Sequence, residues 1–189
     1  LDIDGPSFVA ETVSRGERRR RPVFFVGYGH FGQVRKDVGK LPAYGCNMCQ
    51  VEFGPRDVVR TQDRIRTETI DQFLALCDRA EKAGVAVNLL LSPHYFPRWA
   101  LEKWPELKGC HGGFFGYCVH APEARGVIER SLETVIPRIK DHPALHSVCL
   151  SNEPICVDRT GCAIAAEQWP RWLRRRHGTI ARLNRRWQT

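Results

Sequence analysis

Past residue 22 the chain alternates short apolar runs with segments whose apolar residues recur every three or four positions. The first run, Val23-Phe24-Phe25-Val26, is β-branched and aromatic and is closed by Gly27, which predicts a strand. A short helical segment follows from about Val34 to Tyr44 and ends at Gly45. The second run, Asn47 to Phe53, stops at Gly54-Pro55. Thr67 stands where an N-cap belongs, Ile70, Phe73, Leu74 and Cys77 make a helical stripe, and Gly84 suits the C-cap. Val85 to Ser92 is almost continuously apolar, the pattern of a strand covered on both faces.

A long aromatic and glycine-rich excursion, Pro93 to His120, leads to a helix opening at Pro122-Glu123. Its buried face is Ile128, Leu132, Val135, Ile136 and Ile139, and Pro137 is expected to bend or end it. The fourth strand is expected over Ser147 to Asn152, stopped by Pro154. Helical segments near 165–177 and 179–187 finish the chain. The order is β-α four times over, and helical crossovers demand parallel strands. Two α/β architectures share that order, an open doubly wound sheet and a (β/α) barrel. Gly27-Tyr28-Gly29 lacks the later glycine of a dinucleotide fingerprint, and no phosphate-binding loop is present.

At 189 residues the chain is short for a closed (β/α)8 barrel, which takes ~250. It starts at Leu1 and carries one methionine, Met48, so a piece of a longer protein is expected. Residues 1–21 are polar, hold Gly5, Pro6 and Gly16, and end in four arginines; they read as a linker or the tail of a preceding element. No apolar run approaches the ~20 residues of a membrane-spanning helix, so no membrane partner is expected.

The formal charge of +8 raises the alternative of a basic nucleic-acid-binding module. The basic residues cluster at Arg18 to Arg21, Arg171 to Arg176 and Arg182 to Arg186, in stretches that suit solvated faces, and no nucleic-acid motif accompanies them. No nucleic-acid partner is therefore expected. Eight cysteines are many for this length, but Cys49, Cys77 and Cys149 fall in apolar patterns, where cysteine is a small buried hydrophobe.

In a barrel the chemistry sits at the C-terminal ends of the strands. Those ends carry Tyr28 and His30, then Glu52, then His94 and Tyr95, then Asn152 and Glu153. Carboxylates, imidazoles and rings on one rim suit a carbohydrate: charge for bond cleavage, polar groups for hydroxyls, rings for sugar faces. In the fourth strand Ser147, Cys149 and Ser151 alternate onto one face with Glu153. A rim glutamate is either a proton donor or an ordinary loop or ion-pair residue, and spacing alone leaves both open.

His142-Pro143-Ala144-Leu145 followed by Leu150-Ser151-Asn152-Glu153-Pro154 resembles the strand-four signature of clan A glycoside hydrolases. Three further stretches are similar to family 42 β-galactosidases: Pro97-Arg98-Trp99 with Lys103-Trp104-Pro105-Glu106-Leu107; Tyr117-Cys118 with Pro122-Glu123 and Arg125; and Trp172 through Thr179 with Leu183-Asn184 and Trp187-Gln188-Thr189. Gln188 departs from that family's usual glycine, and the first strand matches poorly. The resemblance implies the N-terminal half, about four βα units over residues 22–189, of a TIM (β/α)8 barrel. It implies a retaining β-glycosidase, of β-galactosides in particular, with Glu153 as acid/base and Asn152 on the sugar 2-hydroxyl. The nucleophile, a glutamate at the end of strand seven, would lie outside this chain.

Glu52 lies two strands from Glu153, roughly 10 Å away at ~4.8 Å per strand. That leaves an inverting pair open, although Glu52 is expected rather to bind a substrate hydroxyl or orient a neighbour. His94 is expected to contact sugar or bond backbone, and Tyr28, His30, Tyr95, Trp99 and Phe115 to stack on sugar or fill the rim. Some family members hold a structural zinc, for which Cys118, Cys156 and Cys162 fall near the matching places. The compact C-x-C-x-x-C spacing is absent, and a fourth ligand would have to be Cys110, His111 or His120. No metal and no cofactor are expected. The expected partner is a β-glycoside; a homo-oligomer is allowed but not indicated. The alternative of another class is a carbohydrate-binding or scaffold barrel without catalysis.

Overall fold

The computed structural model describes residues 2–5, 7–14, 16–29, 32–109, 114–153 and 162–188. The polar stretch expected to be a linker or tail forms a three-stranded antiparallel meander, β1 (Asp2–Asp4), β2 (Ser7–Ser14) and β3 (Glu17–Pro22). Gly5 and Gly16 turn it with φ of 55° and 83°, a backbone region costly for other residues. Its arginines face acids: Arg18 to Glu11, Arg19 to Glu17 and Arg20 to Asp2.

The second sheet is parallel, in the order β4 (Gly27–Tyr28), β5 (Met48–Phe53), β6 (Ala86–Leu91) and β7 (Leu145–Cys149). The first strand is thus later and shorter than the Val23–Val26 run predicts. The reason is a side chain: Asn47 Oδ1 accepts the Val26 N–H and Nδ2 donates to the Phe24 carbonyl, both at 2.8 Å. These bonds occupy backbone groups of the apolar run, and Phe24 stays 85% exposed. At the other edge β7 begins two residues before the expected Ser147 and stops at Cys149, whose thiol bonds the Ser151 carbonyl, and the chain bends at Asn152 and Glu153. Leu150, expected inside the strand, is exposed.

The helices are α1 (Gly32–Asp37), continued by a 3-10 segment over Val38–Tyr44; α2 (Pro55–Val58); α3 (Glu68–Ala83); α4 (Arg98–Lys103); α5 (Pro122–Ile139); α6 (Ala163–His177); and α7 (Ile180–Trp187). Gly84 ends α3 in the left-handed conformation at φ 68°, its N–H reaching the Ala80 and Glu81 carbonyls. Thr67 caps α3 through its own carbonyl, which accepts from Ile70 and Asp71, and its hydroxyl makes no capping bond. Pro137 does not end α5, which runs two residues past it at the cost of the one N–H bond that proline cannot donate. Among the described residues no helix is long and apolar enough to cross a membrane.

One sheet face supplies Cys49, Val51, Phe53, Val87, Leu89 and Leu91 to the main core, against Ile70, Phe73, Leu76 and Ala80 of α3 and Val135 and Ile139 of α5. Phe53 meets Phe73 edge-on at 5.7 Å. Burial there pushes the Cys49 thiol up to about 11 and Cys77 to about 12, so both are inert packing groups at neutral pH. A second core gathers Phe96, Ala100, Leu107, Tyr117, Ala121, Ala124 and Val127, folding the long excursion over the start of α5. Phe96 and Tyr117 stack there at 3.9 Å.

Candidate active site

The opposite sheet face carries the polar residues. Burial alternates along β5, with Cys49, Val51 and Phe53 buried toward the helices and Met48, Gln50 and Glu52 half-buried on the other side. Gln50, Asn88 and Ser147 lie in register across three strands. Gln50 donates to Asn88 at 2.8 Å, and Asn88 donates to the Ser147 hydroxyl at 2.7 Å. This polar row fixes which face is the barrel interior, and Glu52 stands one step above it toward the C-terminal rim.

Glu52 is the most organised group on that rim. The Ser92 hydroxyl donates to its Oε2 and the Tyr95 phenol to its Oε1, both at 2.9 Å. Arg35 donates to the Glu52 backbone carbonyl. The turn bearing both hydroxyls is anchored in turn: Ser92 N–H bonds the Phe53 carbonyl, Tyr95 N–H the Ser92 carbonyl, and Arg56 N–H the Tyr95 carbonyl. The Arg56 guanidinium lies 4.1 Å over the Tyr95 ring. Gly54 makes the approach feasible, since a Cβ there would stand 2.2 Å from the Ser92 carbonyl oxygen.

Burial, first, and the bond and negative charge of Glu52, second, raise the Tyr95 phenol above its ordinary range. The folded state therefore holds that proton more tightly than the unfolded chain. The resulting stabilisation is whole below pH ~10 and drains away as pH rises through the raised value. Glu52→Gln should lower the Tyr95 midpoint in a phenolate absorbance titration, with Tyr95→Phe identifying its component. An unmoved midpoint would mean that Glu52 does not hold the phenol.

Of the expected site residues, Glu52 and Tyr95 are joined directly, and the His94 ring lies 4.1 Å from that of Tyr95 and 5.8 Å from Phe114. Tyr28 stands half exposed at the end of β4, paired in register with Cys49. Asn152 and Glu153 follow β7 by three and four residues at the same end of the sheet. The strand alternation expected to carry Glu153 therefore stops short of it, and Glu153 adopts φ 41°, which turns the chain off the strand direction. His30 lies outside the described residues. Trp99 is rim structure, its indole donating to the Val59 carbonyl at 3.0 Å, and Phe115 packs edge-on against Tyr117. Ser92, Arg35, Arg56 and Gly54 went unmarked in the sequence; only Gly54, at the abrupt end of an apolar run, left a signal there.

The zinc reading meets a mixed donor set. Cys118 and Cys162 are buried with sulfurs 3.6 Å apart, but Cys162 is disulfide-bonded, and a sulfur so committed is not a thiolate ligand. Cys156, Cys110 and His111 lie outside the described residues. Among those described, Asp78, Glu81 and His142 form a group within metal reach. There His142 Nδ1 accepts the Ala144 N–H, so Nε2 carries the proton and donates it to Asp78 at 3.2 Å; this favours a hydrogen bond over a metal. A cleft of about 650 Å³ opens at the N-terminal ends of the strands, lined by Phe25, Asn47, Ala86, His142 and His146, far from the carboxylates of the rim.

Comparison with known proteins gives this arrangement its family. The chain is 34% identical over 115 residues to β-galactosidase BgaB of Geobacillus sp. (strain Y412MC61), covering 56% of this chain and 17% of that protein. It is 30% identical over 122 residues to β-galactosidase BgaA of Planococcus sp. (strain 'SOS Orange'), covering 59% and 17%. The chain thus spans about a sixth of the length of these relatives. Its fold matches the β-galactosidase of the haloarchaeon Halorubrum lacusprofundi, with a TM-score of 0.61 at 21% identity over 86% of this chain and 26% of that one. It matches the Rahnella sp. R3 enzyme at 0.60, with the same identity and coverage. The described βα units are accordingly the N-terminal part of a TIM barrel. The family 42 glycoside hydrolase model, described as β-galactosidase, matches residues 32–189, and the chain belongs to that family.

Proposed function

We propose that this chain is the acid/base-bearing part of a retaining β-glycosidase that acts on β-galactosides. The observation that carries the reading is the family match over residues 32–189, which includes the Asn152-Glu153 pair directly beyond β7. Glu153 protonates the departing glycosidic oxygen and then takes a proton from water as the glycosyl-enzyme intermediate is hydrolysed. Asn152 bonds the 2-hydroxyl, most tightly when the ring approaches an oxocarbenium ion. Glu52, on the neighbouring part of the rim, accepts from a sugar hydroxyl, and His94, Tyr95 and Tyr28 supply further contacts. The nucleophile belongs to a later strand of the complete barrel, with residues 22–189 forming its first part and residues 1–21 a preceding element. An open half barrel leaves two strand edges and lacks the second carboxylate, so the isolated chain has no turnover.

The test is hydrolysis of 4-nitrophenyl β-D-galactopyranoside by the complete protein that carries this chain, followed by proton NMR. The expected first product is β-galactose, with the α-anomer growing in only by mutarotation. First-formed α-galactose would indicate inversion and restore Glu52 as partner carboxylate. No hydrolysis across a panel of aryl glycosides would favour a binding or scaffold barrel.

A further inference from the structure

The positive charge of this chain is concentrated at one corner. Between Ala163 and Gln188 lie seven arginines, no lysine and a single acid, Glu167. Among the described residues, only Arg171 of the seven has an acidic partner, and that partner is Glu167. The fold gathers the others. Gly178 turns the chain at φ 76° between α6 and α7, and the Thr179 hydroxyl caps α7 by accepting the Arg182 N–H. His177 and Leu183 are buried at this corner, and the His177 ring stands edge-on to Trp172 and Trp187, 6.4 and 6.1 Å away. Burial first, and then the charges of Arg186, Arg176 and Arg182, hold the imidazole below its ordinary range, so three guanidinium groups from two helices act on one buried ring. Arg176 also lies 5.5 Å over the Trp172 ring, on which Trp169 stacks at 5.2 Å. Trp169, Trp172 and Trp187 are nevertheless exposed.

Guanidinium groups that converge with no acid among them repel one another, and the arrangement becomes favourable when an anion joins it. Arginine without lysine suits planar oxyanions, which accept two parallel bonds from its fork. Exposed indoles beside the arginines add apolar faces, which suits a ligand made of rings as well as charges. A lone small anion would use neither the indoles nor arginines spread over two helices; a polymer that repeats ring and charge uses both. The chain belongs to a glycoside hydrolase family, and its sequence holds no nucleic-acid motif, so the repeating unit that fits is an acidic sugar. We propose that the α6–α7 corner is a surface site for a uronate-bearing polysaccharide, with Arg176, Arg182 and Arg186 meeting carboxylates and Trp169 and Trp187 meeting ring faces. This goes beyond the catalytic reading: the corner holds a polymer and takes no part in bond cleavage.

The experiment measures binding of the complete protein to polygalacturonate by titration calorimetry, beside neutral galactan, duplex DNA and free galacturonate. Polygalacturonate is expected to bind, and more weakly as salt rises. Arg182→Gln/Arg186→Gln should weaken that binding about tenfold, the loss of two exposed charge pairs. Trp169→Ala should weaken it about threefold through the lost ring contact. All the replaced side chains are exposed, so the melting temperature should hold, and hydrolysis of 4-nitrophenyl β-D-galactopyranoside should stay within about twofold of wild type. Polygalacturonate bound no better than neutral galactan, or bound equally by wild type and both variants, overturns the inference. Tighter binding of DNA overturns it in favour of a nucleic-acid surface. Displacement by free galacturonate at an equal concentration of carboxylate overturns it in favour of a pocket for one small anion. Because the measurement is of binding, a protein inert on the galactoside would remove the catalytic reading and leave this one standing.

Discussion

Glu153→Gln in the complete protein is expected to lower kcat on an unactivated aryl β-galactoside by about 10³-fold, within the range general acid–base catalysis contributes. The substitution keeps the shape of the side chain and removes its titrating proton. Both half-reactions then suffer, since the leaving oxygen departs unprotonated and the attacking water keeps its proton. A 2,4-dinitrophenyl leaving group needs no acid, so its first step should recover and the glycosyl-enzyme should accumulate. Azide needs no base, so it should release the intermediate as β-galactosyl azide and restore turnover. Glu153 is exposed and follows the end of β7, so the melting temperature should hardly move. That separates lost chemistry from lost fold. Full activity in the variant would remove Glu153 from its assigned role.

The elements of this fold were legible where burial decided them. Ile70, Phe73 and Cys77 of α3 and the run Val85–Ser92 encode their partners through apolar spacing, and each lies where the spacing predicts. The two outer strands were less legible, for a physical reason. A strand at a sheet edge takes part of its hydrogen bonding from whatever is near, and the Asn47 amide supplied it to Phe24 and Val26 at one edge. At the other, pairing with β6 stops at Cys149, where the thiol bonds the Ser151 carbonyl ahead of the bend at Asn152 and Glu153. Neither is a matter of hydrophobic pattern. The meander of residues 2–22 was hidden by its own polarity, because its strands are mostly exposed and its arginines pair with acids on the surface.

The candidate site divides in the same way. The charged and aromatic members, Glu52, His94, Tyr95 and Glu153, announce themselves by residue type at strand ends. Ser92 does not, because a serine at the end of an apolar run reads as a terminator. Its role emerges only when β5 and β6 are in register and Phe53 stands beside Leu91. Arg35 reaches the Glu52 carbonyl from α1, seventeen residues away in sequence, through a contact no local pattern encodes.

Gly54→Ala should show how tightly site and fold are tied. Gly54 sits at φ −138°, ψ −174°, an extended conformation open to any residue, so conformational freedom is not why glycine is there. Space is the reason: the new Cβ would lie 2.2 Å from the Ser92 carbonyl oxygen and 2.7 Å from the Tyr95 Cβ. The first obstacle is backbone, which cannot swing aside as a side-chain tip would. Replacing glycine by alanine in a compatible conformation ordinarily stabilises by ~0.4–1 kcal/mol. Here the sign should reverse, to a loss of about 3 kcal/mol, the upper part of the range for overpacking. Gly126→Ala in α5 is the control: its Cβ meets nothing within 4 Å, and it should gain roughly 0.5–1 kcal/mol of helix stability. Urea unfolding of the two variants beside wild type would measure both. The relief of the clash moves the Ser92–Tyr95 turn off β5, and with it the two hydroxyls that orient Glu52. Activity should therefore fall further than the lost stability explains at temperatures where the variant is fully folded. A Gly54→Ala protein as stable and as active as wild type would mean that the turn is not seated against β5 and that Glu52 is held by something else.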